Sequence, residues 1–301
     1  MAKSSFSIAG DYPARAKKSL VIPYHIRRRI TGILLVTFFV ILVAIFLAPF
    51  ISIVLTSFKR TDLLMSDGFN LNFDIKSLTA ENYVALFSGN NQYFRWFFNS
   101  IVLTVLQTVL TLFVSAWVGY GFAVYSFKGK NLLFVCVLIV MMIPFEILML
   151  PLYQEVIALK LIDSYWGVIL PYLTNPIAIF FFSQYLKGIP KDIIDSGRID
   201  GCSEYGIFLR LILPIMGPAL AAMAIFIGMS SWNNFLWPLL VLKDSGKFTL
   251  PIGLNSLLNP YGNNYQLLIA GSVISIIPIM ILFLAAQKFF IQGLTAGSVK
   301  G

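Results

Sequence analysis

The sequence predicts an all-α polytopic membrane protein with six transmembrane helices, and three observations support this fold class. The chain of 301 residues is 58% apolar and only 12% charged, against about 25% charged residues in soluble domains. Uncharged runs long enough for a helical crossing, which needs about 20 apolar residues, recur along its length. Charged or turn-forming segments separate these runs. A soluble globular protein is therefore excluded.

Five uncharged runs each hold a complete crossing and define spans 1, 2, 4, 5 and 6. They extend over residues 30–58, 96–127, 164–186, 211–242 and 248–287. Span 3 is predicted over residues 131–154, which are apolar except for Glu146. Pro144 and Pro151 are expected to break or kink this span. The last run is too long for one helix and begins with turn formers, so we place the start of span 6 near Leu267.

The distribution of basic residues predicts that both termini are cytoplasmic. With the N-terminus inside, 15 of the 22 Lys and Arg residues fall on the cytoplasmic side, in keeping with the positive-inside rule. The pair Lys59 and Arg60 argues for the opposite orientation. We therefore divide the chain into a basic cytoplasmic tail, a six-helix transmembrane domain containing a cytoplasmic loop, and a C-terminal cytoplasmic tail. Their respective ranges are 1–29, 30–292 (loop 187–211) and 293–301.

The basic tail before span 1 is not typical of a secretory signal, because the apolar run after it is too long and no small-residue cleavage site follows. Arg27, Arg28 and Arg29 directly precede span 1, where basic residues contact anionic lipid of the inner leaflet. No basic stripe interleaved with aromatic residues occurs, so we expect no nucleic-acid partner. Topology and membrane lipid therefore explain the net charge of +9.

The sequence lacks the residues of common catalytic and metal sites. His25 is the only histidine, and the two cysteines, Cys136 and Cys202, lie in span 3 and in the cytoplasmic loop. This excludes a metal pair and a disulfide framework. No G-x-x-x-x-G-K-[ST] phosphate-binding loop is present. We expect the chain not to be an enzyme and to bind no metal or cofactor, so that ATP and magnesium would be bound by separate subunits.

The loop between spans 4 and 5 carries the most informative pattern. Pro190 suits the first turn of a short amphipathic helix, and Asp200-Gly201 is a strong turn signal. Ser203 can then cap a second helix that runs into span 5. We interpret this helix–turn–helix either as a surface that docks into a groove of a partner protein or as an interfacial helix on the membrane.

This loop resembles the coupling motif of the permeases of binding-protein-dependent ABC importers. In that motif Glu-Ala-Ala, three variable residues and glycine precede an I-x-L-P segment. Here residues 195–197 read Asp-Ser-Gly, Gly201 follows, and residues 211–214 read Leu-Ile-Leu-Pro, so the start departs from the pattern. By this resemblance, the contacts with an ATPase are expected from Asp195, Ser196, Gly197, Asp200, Gly201, Ser203, Glu204 and Tyr205.

The resemblance covers roughly residues 30–301, and within the family the chain is similar to the maltose-type, carbohydrate-importer branch. It is carried by Phe-Asn-Ser at 98–100, Ser-Trp-Asn-Asn-Phe-Leu-Trp-Pro at 231–238, Phe-Thr-Leu-Pro-Ile-Gly at 248–253 and the ending at 290–301. It implies the type I ABC importer permease fold in the bacterial inner membrane. The implied function is that of a permease subunit that translocates an oligosaccharide or sugar derivative.

The resemblance also implies the partners: a second homologous permease, two ATP-binding cassette subunits and an extracytoplasmic solute-binding protein that delivers the carbohydrate. Contact with the binding protein is expected from the third outer loop, at Leu250, Pro251, Asn255 and Tyr261. A loop that only packs on the outer face is the alternative.

A substrate pathway is predicted at Trp232, Asn233 and Asn234, because sugars stack on aromatic faces and form hydrogen bonds with amides and hydroxyls. Glu146 is predicted to line this pathway as a polar group. The alternative for the tryptophan is the interfacial aromatic belt. For Glu146 the alternatives are a carboxyl near the outer interface and a protonated carboxyl hydrogen-bonded to a neighbouring helix. Gln107 and Trp117 share this ambiguity. Glu146 and the proline-broken span 3 also motivate the competing hypothesis of an ion-coupled secondary carrier of a polar solute, and a membrane scaffold is a third class.

Overall fold

The computed structural model describes residues 24–60, 78–88, 91–258 and 264–296. Tyr261 and most of the two predicted tails lie outside the described residues. The chain divides into two compact units, residues 1–52 and 53–301, and each is described by itself. The described part is helical, apart from turns and an isolated antiparallel bridge between Lys59 and Leu78.

The described part of the first unit, residues 24–52, is entirely helical and belongs to helix α1 (Tyr24–Thr56). It begins six residues before the uncharged run, so Arg27, Arg28 and Arg29 lie within its first turns. Apolar side chains are exposed on every face, and none of its most apolar 18-residue window is buried. A helix that is apolar all round requires lipid or protein around it.

The second unit begins with α2 (Glu81–Phe87), α3 (Tyr93–Val124), α4 (Lys130–Met141) and α5 (Phe145–Ala158). It continues with α6 (Tyr165–Tyr172), α7 (Pro176–Lys187), α8 (Asp192–Ile199) and α9 (Glu204–Ile215). The remaining helices are α10 (Gly217–Trp232), α11 (Leu236–Val241), α12 (Leu250–Ser256) and α13 (Tyr265–Ala296). The last turn of α6 is a 3-10 helix, and residues 207–212 of α9 form a π-helix.

Six crossings are consistent with these lengths. Helices α1, α3 and α13 are each long and apolar enough to cross a bilayer. The pairs α4–α5, α6–α7 and α9–α10 each meet the same criterion when a bent pair is counted as one span. The predicted all-α, six-span fold class is thereby confirmed. Helix α13 begins at Tyr265, two residues before the predicted start of span 6.

Prolines account for the interruption of span 3. Pro144 immediately precedes α5, and the chain bends by 104° between α4 and α5. This confirms the expected break. Pro151 lies inside α5, and the helix continues to Ala158. The second proline therefore does not end the helix.

Spans 4 and 5 are also bent, which their hydropathy did not predict. Helix α7 begins with Pro176, and the Asn175 side chain caps it by accepting a backbone N–H at 3.0 Å, so the chain turns by 44° after α6. Met216 lies between α9 and α10, and the chain bends by 77° there. Pro214 and Pro218 flank Met216, and each lacks the N–H that would continue a regular helix.

Helix α3 is the helix on which the second unit is assembled. A Cβ atom at Gly119 would lie 2.8 Å from Phe182 Cβ in α7, so glycine allows these two backbones to approach closely. Ser231 Oγ in α10 donates to Gln107 Oε1 at 3.1 Å in a buried position. Tyr93 OH donates to the Gly271 carbonyl of α13 at 2.8 Å. Three other helices are thus attached to α3 along its length.

Candidate functional site

The coupling loop, residues 187–211, forms the predicted helix–turn–helix. Helix α8 ends at Ile199, and Gly201 has a φ of +75°, a conformation that glycine adopts without the cost it has for other residues. Ser203 caps α9 by accepting the Gly206 N–H at 3.2 Å. The helix break, the glycine turn and the serine cap predicted here are therefore confirmed as local structure.

Gly197 lies where α8 packs against the π-helical part of α9. It is buried, and a Cβ atom there would lie 2.8 Å from Leu211 Cδ1 and 3.1 Å from Ile207 Cγ1. Leu211 Cδ1 is the end of a flexible side chain, whereas Ile207 Cγ1 belongs to a β-branched side chain that is stiffer. The glycine that weakens α8 by propensity thus allows close contact between the two arms of the loop.

Arg198 organises the charges of the coupling loop. Its Nε donates to Glu204 Oε1 at 2.7 Å, across the Gly201 turn, and its Nη1 donates to Asp195 Oδ1 at 3.1 Å, within α8. The hydrogen bond to Glu204 raises the pKa of the Arg198 guanidinium further above its ordinary value, so the group stays charged. Asp195, the first residue of the predicted motif, is therefore already paired, with 58% of its side chain exposed.

Aromatic rings attach the coupling loop to the end of α3. Trp117 lies against Tyr205 and Phe208, with ring centroids 5.5 and 5.0 Å apart, and Tyr120 lies 5.2 Å from Phe208. Trp117, which we associated with the substrate pathway as one alternative, instead contacts the coupling loop. Tyr125, just after α3, donates from its hydroxyl to Glu204 Oε2 at 2.6 Å.

The outward surface of the coupling loop is mixed apolar and polar. Ser196, Asp200 and Ser203 are exposed, and the side chains of Ile199 and Tyr205 are 86% and 66% exposed. Two large apolar side chains therefore lie at the surface on either side of the Gly201 turn. The sequence pattern missed Ile199, because only the residues that repeat on the buried face, such as Ile194, were evident.

At the other end of α3, buried side chains hold the anchored loop, residues 245–256. Asn99 Nδ2 donates to the Gly246 and Phe248 carbonyls at 2.9 and 3.0 Å. Ser100 Oγ accepts the Leu250 N–H at 2.7 Å. The indole of Trp96 donates to the Ser245 carbonyl at 2.8 Å. Hydrogen bonds therefore connect two of the segments that carry the resemblance, Phe-Asn-Ser and Phe-Thr-Leu-Pro-Ile-Gly.

The residues predicted to contact a binding protein differ in exposure. Leu250 is 1% exposed and belongs to the core, whereas Pro251 is half-buried and Asn255 is exposed. Tyr261 lies outside the described residues. On the free chain, the surface available at this loop is therefore the far side of α12 and not Leu250.

Asp163 forms a clamp of hydrogen bonds with Lys243, Asp244 and Lys247, at the start of the anchored loop. Asp163 Oδ1 accepts the N–H groups of Lys243 and Asp244, both at 3.0 Å, and Oδ2 pairs with Lys247 Nζ at 2.6 Å. The bond from Lys247 and those from the two backbone groups lower the pKa of Asp163 to about 2. Asp163 has a φ of +58°, and these bonds hold it in that unfavourable region.

The four predicted pathway residues are divided between two places. Trp232 is buried and packs edge-on against Phe97 at 5.8 Å, while the exposed Asn233 donates to a carbonyl of its own helix. Asn234 Nδ2 donates to Tyr172 OH at 3.0 Å.

Tyr172 connects Asn234 to the break in span 3. Its ring stacks on that of Phe145 at 4.7 Å, and Glu146 follows in the exposed first turn of α5. The structure thus brings Asn234 and the Glu146 region together through two aromatic rings and directs Trp232 elsewhere. Tyr172 and Phe145 are additions that the sequence did not indicate. Within the described ranges, no group of three His, Cys, Asp or Glu side chains could hold a metal ion.

Comparison with known proteins adds three findings. Residues 112–296 match the family described as "Binding-protein-dependent transport system inner membrane component". The arabinooligosaccharides transport system permease protein AraQ of Bacillus subtilis (strain 168) is 55% identical over 269 residues, covering 89% of this chain and 96% of that protein. The lactose transport system permease protein LacG of Rhizobium radiobacter is 32% identical over 281 residues, covering 91% and 98%.

A solved structure is also similar. It is that of a bacterial ABC transporter involved in the import of the acidic polysaccharide alginate, with a TM-score of 0.76 and 22% identity. The match covers 87% of this chain and 97% of that one. At this level of identity the likeness shows the fold.

Proposed function

The chain belongs to the family of binding-protein-dependent transport system inner membrane components, and we propose that it is the permease subunit of an ATP-driven carbohydrate importer. The observation that carries this proposal is the coupling loop. It is a capped helix–turn–helix that exposes Ile199 and Tyr205 and is joined to α3 through Glu204. Such a surface suits the cleft of a separate ATPase.

In the proposed complex, this chain and a second homologous permease enclose the pathway, and two ATP-binding cassette subunits bind their coupling loops. ATP, with magnesium, binds those subunits, and a solute-binding protein docks at the opposite side, near Asn255. Each partner favours the outward-facing state to the extent that it binds that state more tightly. This chain contributes the moving helices and part of the pathway lining, without bond-making chemistry.

The proposed cargo is an oligosaccharide. AraQ and LacG are named for the transport of arabinooligosaccharides and lactose, and AraQ is the more similar of the two. We therefore take arabinotriose as the first substrate to test. Asn234, Tyr172 and Glu146 at the break of span 3 are the proposed contacts, because amides, carboxylates and ring faces are the groups that bind sugars.

The importer proposal is tested with the tagged chain purified from its native membrane together with its partners. We expect an ATPase chain to co-purify. We also expect proteoliposomes containing the complex to take up arabinotriose only when ATP and the binding protein are present. Uptake driven by an ion gradient, without ATP or any partner, would contradict the proposal and favour a secondary carrier.

The role of the coupling loop is tested at Gly201. Valine at a φ of +75° costs about 1–2 kcal/mol, and the resulting distortion of the turn should separate ATP hydrolysis from uptake. Asparagine tolerates this backbone region, so Gly201→Asn is the matched comparison and should retain more uptake than Gly201→Val. Wild-type uptake by Gly201→Val would contradict the coupling assignment.

A further inference from the structure

One carboxylate joins three segments of the chain at the coupling loop. Glu204, the first residue of α9, accepts from Arg198 of α8 on both oxygens, at 2.7 Å on Oε1 and 3.3 Å on Oε2, and from the Tyr125 hydroxyl on Oε2 at 2.6 Å. Tyr125 is in turn fixed to α3, because its N–H donates to the Gly121 carbonyl at 3.3 Å. A continuous chain of hydrogen bonds therefore runs from α8 through Glu204 to the end of α3.

The junction that these hydrogen bonds cross has a buried part, where Tyr120 and Phe208 belong to one core cluster, and an open part. A cleft of about 260 Å³ lies between the end of α3 and the start of α9. Tyr120 and Phe208 contact each other in its wall, and Tyr125 and Glu204 also line it. The cleft leaves room for the start of α9, at Glu204 and Tyr205, to shift relative to Tyr125. Farther along α9, Phe208 remains packed in the buried core.

The Tyr125 hydroxyl is suited to remain a donor. Burial, and then the hydrogen bond to Glu204, raise the pKa of Tyr125, so the group stays protonated at physiological pH. The acceptor is a carboxylate, and hydrogen bonds with one ionised partner are shorter and stronger than neutral ones. The Tyr125 hydroxyl thus keeps its proton at physiological pH, and the hydrogen bond to Glu204 is broken only when the two residues move apart.

We propose that Tyr125 is a positioning residue for ATP-driven transport: through Glu204 it transmits displacement of the coupling loop to α3. The inference rests on the proposed importer function. Without this bond, an ATPase could still bind the coupling loop and move it. The movement would then be taken up in the cleft, and a smaller part of it would reach α3. The expected defect is therefore in coupling and not in assembly.

The test compares wild-type and Tyr125→Phe complexes in proteoliposomes, with arabinotriose uptake and ATP hydrolysis measured on the same sample. We expect the Tyr125→Phe complex to retain its ATPase chain and its ATP hydrolysis. The number of arabinotriose molecules taken up per ATP should fall about tenfold, the effect of losing one hydrogen bond to a charged group. Tyr153→Phe, in α5, is the control, because no hydrogen bond of the Tyr153 hydroxyl is found among the described residues. It should leave the ratio unchanged.

A second variant separates positioning from a general structural effect. In a Glu204→Ala background the acceptor is gone, so adding Tyr125→Phe should change the ratio by less than about twofold, since coupled residues are not additive. An additive loss, or a wild-type ratio in Tyr125→Phe alone, would overturn the inference while leaving the importer intact. A wild-type complex without ATP-driven uptake would overturn the proposed function and this inference together.

Discussion

Helix α3 carries a loop at each of its ends, and the two are attached in opposite ways. The anchored loop is bound at the Tyr93 end by the buried side chains of Asn99 and Ser100, which bond directly to its backbone. The coupling loop is bound at the Val124 end by the buried rings of Tyr120 and Phe208 and by exposed charged groups beside a cleft. One helix thus holds one loop by buried hydrogen bonds to its backbone and the other by apolar packing and exposed ion pairs.

The two ends of α3 differ in the free energy needed to break their contacts. A buried carbonyl that loses its donor costs about 1–3 kcal/mol, whereas exposed ion pairs contribute about 0–1 kcal/mol. The anchored loop should therefore follow α3 as one body. At the coupling loop only the exposed charged contacts can be exchanged at such a small cost, whereas Ile207 and Phe208 are held in a buried core with Tyr120.

The largest effect is expected from Gly253→Ala in the anchored loop. A Cβ atom there would overlap the indole ring of Trp96, which is large, rigid and buried. We expect a loss of about 3 kcal/mol, the upper end of the usual cost of overpacking, measured by thermal unfolding of the purified complex. Gly217→Ala is the control, because a Cβ atom at Gly217 meets no atom within 4 Å. Equal stability of the two variants would show that α12 is not fixed on α3.

A smaller loss is expected from Asn99→Ala. The substitution leaves the Gly246 and Phe248 carbonyls without their donor, at a cost of about 2–3 kcal/mol. Hydrogen exchange over residues 245–256 should accelerate by one to two orders of magnitude, because each 1.4 kcal/mol corresponds to about a factor of ten. Gln92→Ala is the control, since the Gln92 side chain makes no capping bond at the start of α3. Unchanged exchange would mean that the loop is held by other contacts.

Asp163→Asn tests the clamp before the anchored loop and should have a smaller effect still, because Asp163 and Lys247 are partly exposed. The folded pKa of Asp163 is lowered to about 2, so the ionised carboxyl stabilises the folded chain at neutral pH. This stabilisation is complete above the unfolded pKa of about 3.9 and is lost as the pH falls towards 2. Thermal unfolding of wild type and variant should differ at pH 7 and converge below pH 4. A difference that grows in acid would contradict the clamp.

The smallest effect is expected from Gly197→Ala in the coupling loop. One obstacle is the end of Leu211, which can rotate away, and the other is Ile207 Cγ1 at 3.1 Å, which must shift by a few tenths of an ångström. Alanine also favours the helix by about 1 kcal/mol. We expect a stability within about 0.5 kcal/mol of wild type, the balance of this gain against a modest overpacking cost. A loss as large as that of Gly253→Ala would show that the two loops are equally rigid.

The features that could be predicted from sequence are those determined locally. The Gly201 turn and the Ser203 cap depend on a few neighbouring residues, and the six-span count depends on the length of apolar runs. The family expected from the coupling motif is confirmed by the match over residues 112–296. The chain is a multi-pass inner-membrane protein of that family.

The features that escaped prediction are tertiary. Tyr125 and Glu204 are 79 residues apart, and no local pattern connects them. Trp232 and Asn234 are close in sequence but lie on either side of the end of α10, so one enters the core and the other reaches Tyr172. Hydropathy also cannot distinguish a straight span from one bent at Met216. The orientation of the termini and the partner contacts remain predictions.

The glycine turn of the coupling loop has a consequence for labelling chemistry. Cys202, an exposed free thiol, directly follows Gly201, and the other cysteine, Cys136, lies in the apolar helix α4. A thiol reagent that does not enter membranes should therefore react with the unaltered chain mainly at Cys202. The rate of this reaction would report when the turn is covered, so the natural sequence already carries its own probe of docking.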